Sequence, residues 1–340
     1  MKNVNLKTLV AGLLGTLLVA GTTGAMAADI KDRTIKYAVI YDIKHPHGLG
    51  AQKFADLVAQ RSNNKMKVKV YPNATLGGEI AIISAMQGGT VEMSAMATSQ
   101  LVGVIKDFAA LDLPFLFNSE KEVDHVVDGP VGKTFLDKMP EKGLVGLAWF
   151  EHGFRNLTNT RRPVTKLEDI QGLKIRVEQN AVAIDTWSAL GANAVPMPFP
   201  ELYGALEQKA VDGQENPYST VDSAKFYEVQ KYLSVTKHKY TPLVVTLSKK
   251  FWDQLSADEK KVIQEAAQEA AVYQRKANRD LNEQYLQSLK KVGMQINEIS
   301  AAELARMRAK VQPVVDKYSA QIGGTLVKDL YGEIEKARKP

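Results

Sequence analysis

Between Ala257 and Val292 the chain contains neither glycine nor proline. Ser256 stands before this run as an N-cap, Glu259 three residues on completes a capping-box pattern, and Gly293 ends it. One unbroken helix of about 36 residues would reach about 54 Å. That exceeds the diameter of a small domain, so such a helix must span more than one globular unit. The competing reading is two helices with an unmarked break near Asn278 or Asn282. The chain, at 340 residues, is long enough for two domains.

Ahead of this run the pattern alternates. Thr34–Tyr41, Met66–Tyr71 and Val91–Ala97 read as strands, with amphipathic helices over Gly50–Arg61 and Glu79–Gly88 between them. Leu144–Phe150 and Leu173–Val177 are further strands, and Ala181–Leu190 is a helix. Such βαβ alternation predicts an α/β protein with mixed, mainly parallel sheets.

The first 27 residues read differently. Lys2 and Lys7 precede an apolar stretch, Leu9–Ala20, and Ala25-Met26-Ala27 fits a small-x-small cleavage pattern. This predicts an export signal cleaved after Ala27. The stretch is short for a membrane span, which needs about 20 residues. Without Lys2 and Lys7 the basic count falls from 44 to 42 against 38 acids, a net charge of +4. The basic residues are dispersed, which argues against a nucleic-acid partner, while a mild positive bias suits an anionic small molecule. There is no cysteine; a core of this size does not need disulfides.

Catalytic signatures are missing. The sequence has no GxSxG elbow, no phosphate-binding loop and no HExxH. His45-Pro46-His47 is the nearest approach to a metal motif, and the intervening proline disfavours a helical pair. No metal, cofactor or enzymatic activity is expected. Gly48-Leu49-Gly50 opens a helix and could face an anion, or could be a plain helix start.

Two arginines lie between apolar neighbours. If Leu173, Ile175 and Val177 face the core, Arg176 faces the other side, at the strand's C-terminal end. Ligands bind at that edge in open α/β sheets, and a guanidinium fork suits a carboxylate. An outward surface charge or a buried ion pair is the alternative. Arg155 sits similarly in HGFRNLTN. VDGQENPYST (211–220) reads either as a solvated turn or as a segment that aims Asn216 at a ligand.

Several stretches together resemble one family: VYPNATLGGE (70–79), LDLPFLF (111–117), GFRNLTN (153–159), GLKIRV (172–177), VPMPFPELYGALEQ (195–208) and AVDGQENPYSTVDSAKFYEVQKYLSVTKH (210–238). They are similar to the solute-binding proteins of TRAP transporters, the tripartite ATP-independent periplasmic carriers. The resemblance implies a two-domain clamshell, with a long C-terminal helix spanning both domains, that closes on an organic acid. The expected division gives 28–152 plus 241–280 to the first domain and 153–240 plus 281–340 to the second.

The family's carboxylate-binding arginine falls on Arg176, its companion on Arg155, the pocket asparagine on Asn216 and the closing aromatic on Phe199. Glu79 matches a pocket or rim position; a helix N-terminal acid is the alternative. His47, Thr98, Ser99 and His152 are candidates for polar contacts, and Trp149 and Tyr218 for apolar walls, with loop or core roles as the alternatives. Ala97 and Ile40 depart from the sialic-acid-binding branch, which implies a smaller or differently shaped acid. The expectation is a periplasmic, monomeric binding protein that passes its ligand to membrane permease subunits. The two arginines favour a C4-dicarboxylate such as malate, succinate or fumarate. A uronate, an aldonate or a 2-oxo or 2-hydroxy monocarboxylate is the alternative.

Overall fold

The computed structural model describes residues 29–339; the expected export signal lies outside them. Its strands are β1 (Arg33–Ala38), β2 (Met66–Tyr71), β3 (Met93–Ala97), β4 (Leu144–Asn159), β5 (Lys174–Val177), β6 (Asn193–Pro196), β7 (Gly213–Asn216), β8 (Tyr232–Ser248) and β9 (Gln295–Glu298). In the first half the helices are α1 (Pro46–Arg61), α2 (Glu79–Gly88), α3 (Thr98–Leu101), α4 (Glu120–Val127) and α5 (Pro130–Asp137). Then come α6 (Ala181–Ala189), α7 (Leu202–Glu207), α8 (Tyr218–Ser223) and α9 (Lys249–Trp252). Three helices close the chain: α10 (Ala257–Lys291), α11 (Ala301–Ile322) and α12 (Leu326–Arg338).

The strands form one mixed sheet in the order β2-β1-β3-β8-β4-β7-β5-β6, with β9 added beside β8. Each wing is parallel: β1 pairs with β2 and β3, and β5 pairs with β6 and β7. The long strands β8 and β4 join the wings in antiparallel fashion. In each wing the first strand lies between the two that follow it, so crossovers leave it in opposite directions. The crevice outside such a switch point is where open α/β sheets place ligands. One crevice is bounded by the ends of β1 and β3, the other by the ends of β5 and β7.

β4 continues well past the short strand expected at 144–150. Register breaks at Gly146/Ala148, Glu151/Gly153 and Arg155/Leu157 let it bend while staying paired with β8. Gly153, at φ +106°, sits at the middle break, a conformation that side-chain-bearing residues rarely adopt.

The Gly- and Pro-free run is one helix. α10 has 35 residues and starts with the Ser256–Glu259 capping box. It lies across α1, β4 and α8 and so touches both wings. Asn278 does not break it, because its side chain is used: Nδ2 donates to Glu151 Oε1 at 2.9 Å. Ala266, Ala267, Ala270 and Ala271 are buried along its inner stripe, and α1 approaches it through Gly50. A Cβ on Gly50 would stand 2.6 Å from the Phe150 ring and 2.7 Å from Gln274.

Apolar cores lie on both faces of the first wing, one around Phe108 and Phe135, the other around Tyr37, Phe54 and Ile263. The second wing has cores around Trp187 and Ile175, and around Phe226 and Leu233. One expected boundary is corrected here. Leu330 and Ile334 of α12 pack with Val126 and Phe135 of α4 and α5, so α12 joins the first wing instead of the second.

Candidate functional site

Arg176 is the next-to-last residue of β5 and is 2% exposed. Its Nε and Nη2 donate to the Met197 carbonyl at 2.9 and 2.7 Å. Among the described residues it has no carboxylate partner within ion-pair distance. Burial lowers its pKa from the ordinary value, and nearby Glu178 opposes the shift. A buried guanidinium without an acid of its own is costly unless an anion is supplied.

The bond to Met197 shapes the rest of the wall. It fixes the Met197–Pro200 segment, and Pro198 and Pro200 come against Gly78; a Cβ there would lie 3.8 and 3.6 Å from them. Glu79, the next residue, opens α2. Burial and the Glu178 charge push its carboxyl up to about 7, against the pull of Arg176, Arg155 and the Ala97 N–H. Phe199, half-buried, stands edge-on to Tyr41 at 4.8 Å and tilted to Phe226 at 6.0 Å. It thus touches a residue of each wing.

Asn216 ends β7 and is buried. Its Nδ2 donates to Gln214 Oε1 at 2.5 Å, Gln214 Nε2 to Thr158 Oγ1 at 2.8 Å, and Thr158 Oγ1 to Gln230 Oε1 at 3.0 Å. This relay orients the asparagine. VDGQENPYST is no solvated turn: Gly213–Asn216 are a buried strand, and Pro217 stands as N-cap before α8.

Arg155 is engaged within the protein. It is 1% exposed, but its donors are taken. Nε lies 2.5 Å from Glu215 Oε2, and Nη2 lies 2.9 Å from Oε1 and 2.6 Å from the Glu215 carbonyl. Nη1 faces His152 Nδ1 at 3.4 Å and Glu178 Oε1 at 3.6 Å. Burial opposes its charge, yet Glu178 and Glu215 raise its pKa. Glu215 is held well below its usual range despite burial, first by Arg155 and then by His238, whose Nε2 lies 3.0 Å from Oε2.

Glu178 extends this network across the wings. Ser99 donates to its Oε1 at 2.9 Å, and Lys239 to its Oε2 at 2.7 Å; Lys239 also meets Asp112 at 2.8 Å. Ser99 therefore positions Glu178. Burial outweighs Lys239 at Asp112, whose carboxyl rises to about 6.

Three buried histidines meet behind Tyr41. His47 lies 4.6 Å from His45 and 4.8 Å from His152, ring to ring. Burial first, then neighbouring charges, lower the pKa of His45 and His152 far below the usual value, and burial lowers that of His47 to about 3. His45 is the N-cap of α1 and its Nδ1 accepts from the His47 N–H at 3.1 Å. Pro46 thus occupies the first helical turn, where its missing N–H costs nothing. His152 Nε2 is 2.7 Å from Thr220 Oγ1. His47 Nε2 is buried without a partner, as is Thr98 Oγ1 beside Ala97. No three His, Asp or Glu side chains among the described residues converge as metal ligands.

Two residues offered as apolar walls, with core packing as the alternative, sit in the cores. Trp149 packs into the first-wing core with Phe135 and Val244, and Tyr218 into the second-wing core with Leu206 and Phe226. Both faces of this sheet are covered, so an aromatic near the site is as readily core as wall. Sequence reasoning missed Tyr41, Glu178 and Lys239. Glu178 had a signal: it follows Arg176 by two residues and so shares its side of the strand.

The chain is similar to a family model described as bacterial extracellular solute-binding protein, family 7, over residues 39–321. Its structure resembles that of a sugar acid binding protein from Advenella mimigardefordensis in complex with galactonate. The TM-score is 0.89 and identity 47%, over 91% of this chain and 100% of that one. A TRAP periplasmic solute binding protein from Polaromonas, bound to D-erythronate, has a TM-score of 0.85 and 38% identity, over 88% and 98% of the two chains. The C4-dicarboxylate-binding periplasmic protein DctP of Rhodobacter capsulatus is 34% identical over 86% of this chain and 88% of that protein.

Proposed function

This chain belongs to family 7 of the bacterial extracellular solute-binding proteins, those that serve TRAP transporters, and we propose that it captures a sugar acid with a single carboxylate. Proteins of this family bind small organic acids and work with membrane permease components. The finer reading is an aldonate or uronate, taken up in the periplasm by a monomer and handed to the permease. One observation supports it above others: Arg176 is free of acids while Arg155 is committed to Glu215. Arg155 and Lys239 are already paired with Glu215, Glu178 and Asp112, which leaves Arg176 alone for a ligand anion. A second ligand carboxylate would enter a site with no spare cation.

In this reading Arg176 holds the carboxylate, each charge-assisted bond contributing about 1.5–3 kcal/mol net. Asn216 donates to the same group, and Glu79, His47 and Thr98 meet the hydroxyls. Phe199 closes over the ligand, which stabilises the closed form by binding it better than the open one. The C4-dicarboxylate reading, favoured by the two arginines in sequence and by the name of the Rhodobacter relative, stands second.

A melting-temperature panel separates the two. Galactonate, glucuronate and erythronate are compared with malate, succinate and fumarate. A ligand at about 100 times its Kd adds roughly 2.7 kcal/mol of stability. The sugar acids are expected to raise Tm; a rise with the dicarboxylates alone would overturn the reading.

A further inference from the structure

Between Glu151 and Gly153 the register of β4 against β8 slips, and Glu151 lies opposite Pro242, which has no N–H to give. At this gap the side chain of Gln274, from α10, stands in for a strand. Its Oε1 accepts from the Glu151 N–H at 2.8 Å, and its Nε2 donates to the Glu151 carbonyl at 2.8 Å. Gln274 is fully buried. Asn278, about one turn further along α10, donates to Glu151 Oε1 at 2.9 Å and lies 3.4 Å from the His152 carbonyl. Glu151 Oε2 accepts from the Tyr240 hydroxyl at 2.6 Å and from Arg279 Nη2 at 2.6 Å. The bend in β4 is therefore held from the helix, where the sheet itself cannot hold it.

The same glutamine meets α1. Its Cγ and Cβ stand 2.7 and 2.9 Å from where a Cβ on Gly50 would be. Gly50 lies three residues beyond His47, its neighbour on the helix surface. Gln274 thus braces two elements at once, and each carries a histidine of the candidate site. His47 on α1 and His152 on β4 have their rings 4.8 Å apart. His152 reaches Thr220 at 2.7 Å and Arg155 at 3.4 Å. His47 Nε2 is buried with no partner among the described residues. We propose that Gln274 is a positioning residue for ligand capture: without touching the ligand, it sets the spacing of His47 and His152 and so the fit of the acid's hydroxyl end.

The physical reason is that a buried backbone N–H or carbonyl must find a partner. With Gln274 in place, residues 151–153 have one way to do so. Without it, the bend shifts toward whatever partners it can reach, and the His152 ring moves with it. Sites that bind by fixed geometry lose affinity when the residues behind them are loosened. The partners that orient metal-binding histidines are worth about tenfold to a hundredfold in affinity. The inference rests on the reading above only in placing the ligand's hydroxyls on the His47 side.

Calorimetry and histidine-ring NMR test it, with whichever acid of the melting panel raises Tm most. The chain has five histidines, so each ring can be followed by itself. Gln274→Leu keeps the packing against Gly50 and loses both bonds to Glu151. Well below its Tm it should bind about tenfold more weakly or worse. In the free variant the His47 and His152 signals should move while that of exposed His125 stays. Gln274→Glu still accepts from the Glu151 N–H and should fall between Gln274→Leu and the wild type; if Gln274→Leu does not fold, Gln274→Glu decides alone. Ile263→Ala, about three turns earlier on α10 and buried in the first-wing core, should lower Tm without weakening binding or moving those signals. Undiminished affinity in the folded Gln274 variants, or an equal loss in Ile263→Ala, overturns the positioning role while leaving the sugar-acid reading intact. Failure of every acid in the panel to bind overturns both.

Discussion

Arg155 and Glu215 meet edge to edge, with Nε 2.5 Å from Oε2 and Nη2 2.9 Å from Oε1, both side chains 1% exposed. The pair ties β4 to β7 from within the site. Arg176, one strand further on, is as deeply buried and has no such acid.

The two arginines should therefore fail in different ways. Arg155→Ala leaves Glu215 charged and buried, and should cost about 3–5 kcal/mol of stability. Arg176→Ala removes a buried charge that has no ion-pair partner in the free protein, so stability should hold or rise. Ligand affinity should fall by about 2–5 kcal/mol, roughly thirtyfold or more. Urea unfolding and calorimetry on both variants check the contrast. Equal stability losses would contradict it.

Phe199 packs between Tyr41 and Phe226 but belongs fully to neither core. Phe199→Ala should leave the melting temperature of the free protein within a few degrees of wild type. Dissociation should quicken by about tenfold, as if roughly 1.4 kcal/mol of closed-state contact were lost. Stopped-flow release reads this directly; an unchanged off-rate would remove Phe199 from the closing surface.

Stability should depend on pH through the histidines. His45, His47, His152 and His238 all have lowered pKa values, burial being the first cause of each. Below about 6.5 the unfolded chain binds protons that the folded one refuses, so stability is lost as pH falls. Glu79 and Asp112, raised to about 7 and 6, act oppositely, since the folded form keeps their protons. Four groups outnumber two, and each in excess contributes up to about 1.4 kcal/mol per pH unit. Below about 4.5 Glu178, held down to about 2, adds a further loss. Urea midpoints should fall between pH 6.5 and 5; a flat profile would show that the histidines take up protons in the folded state.

Gly50 lets α1 lie against α10. Gly50→Ala would force its methyl into the Phe150 ring and Gln274. Overpacking of this kind costs about 1–3 kcal/mol. A thermal melt checks it, with Ala51→Gly on the same helix as a control for helix propensity.

Local signals were legible where one segment fixes its own structure. Ser256, Glu259 and the missing breakers specify α10 without help from the rest of the chain. Alternation in LKIRV put Arg176 on the right side of its strand. Long-range pairing was another matter. Arg155 and Glu215 are 60 residues apart, and their contact depends on the β4–β7 register, which no pattern in either strand reveals. Its pairing with Glu215 therefore left no sign in the sequence around Arg155. His45-Pro46-His47 looked like a broken pair because proline was taken as a breaker, whereas at a helix start it is at home. Trp149 and Tyr218 read equally as wall or core because covered sheets show no polar face by which to tell core from cleft.

The most direct test of the single-carboxylate account is a crystal structure of the protein with the acid that binds it best. The account predicts one carboxylate on the Arg176 guanidinium at hydrogen-bond distance, hydroxyls toward Glu79 and the His47 side, and the Arg155–Glu215 pair intact. A ligand with two carboxylates, one displacing Glu215 from Arg155, would contradict it.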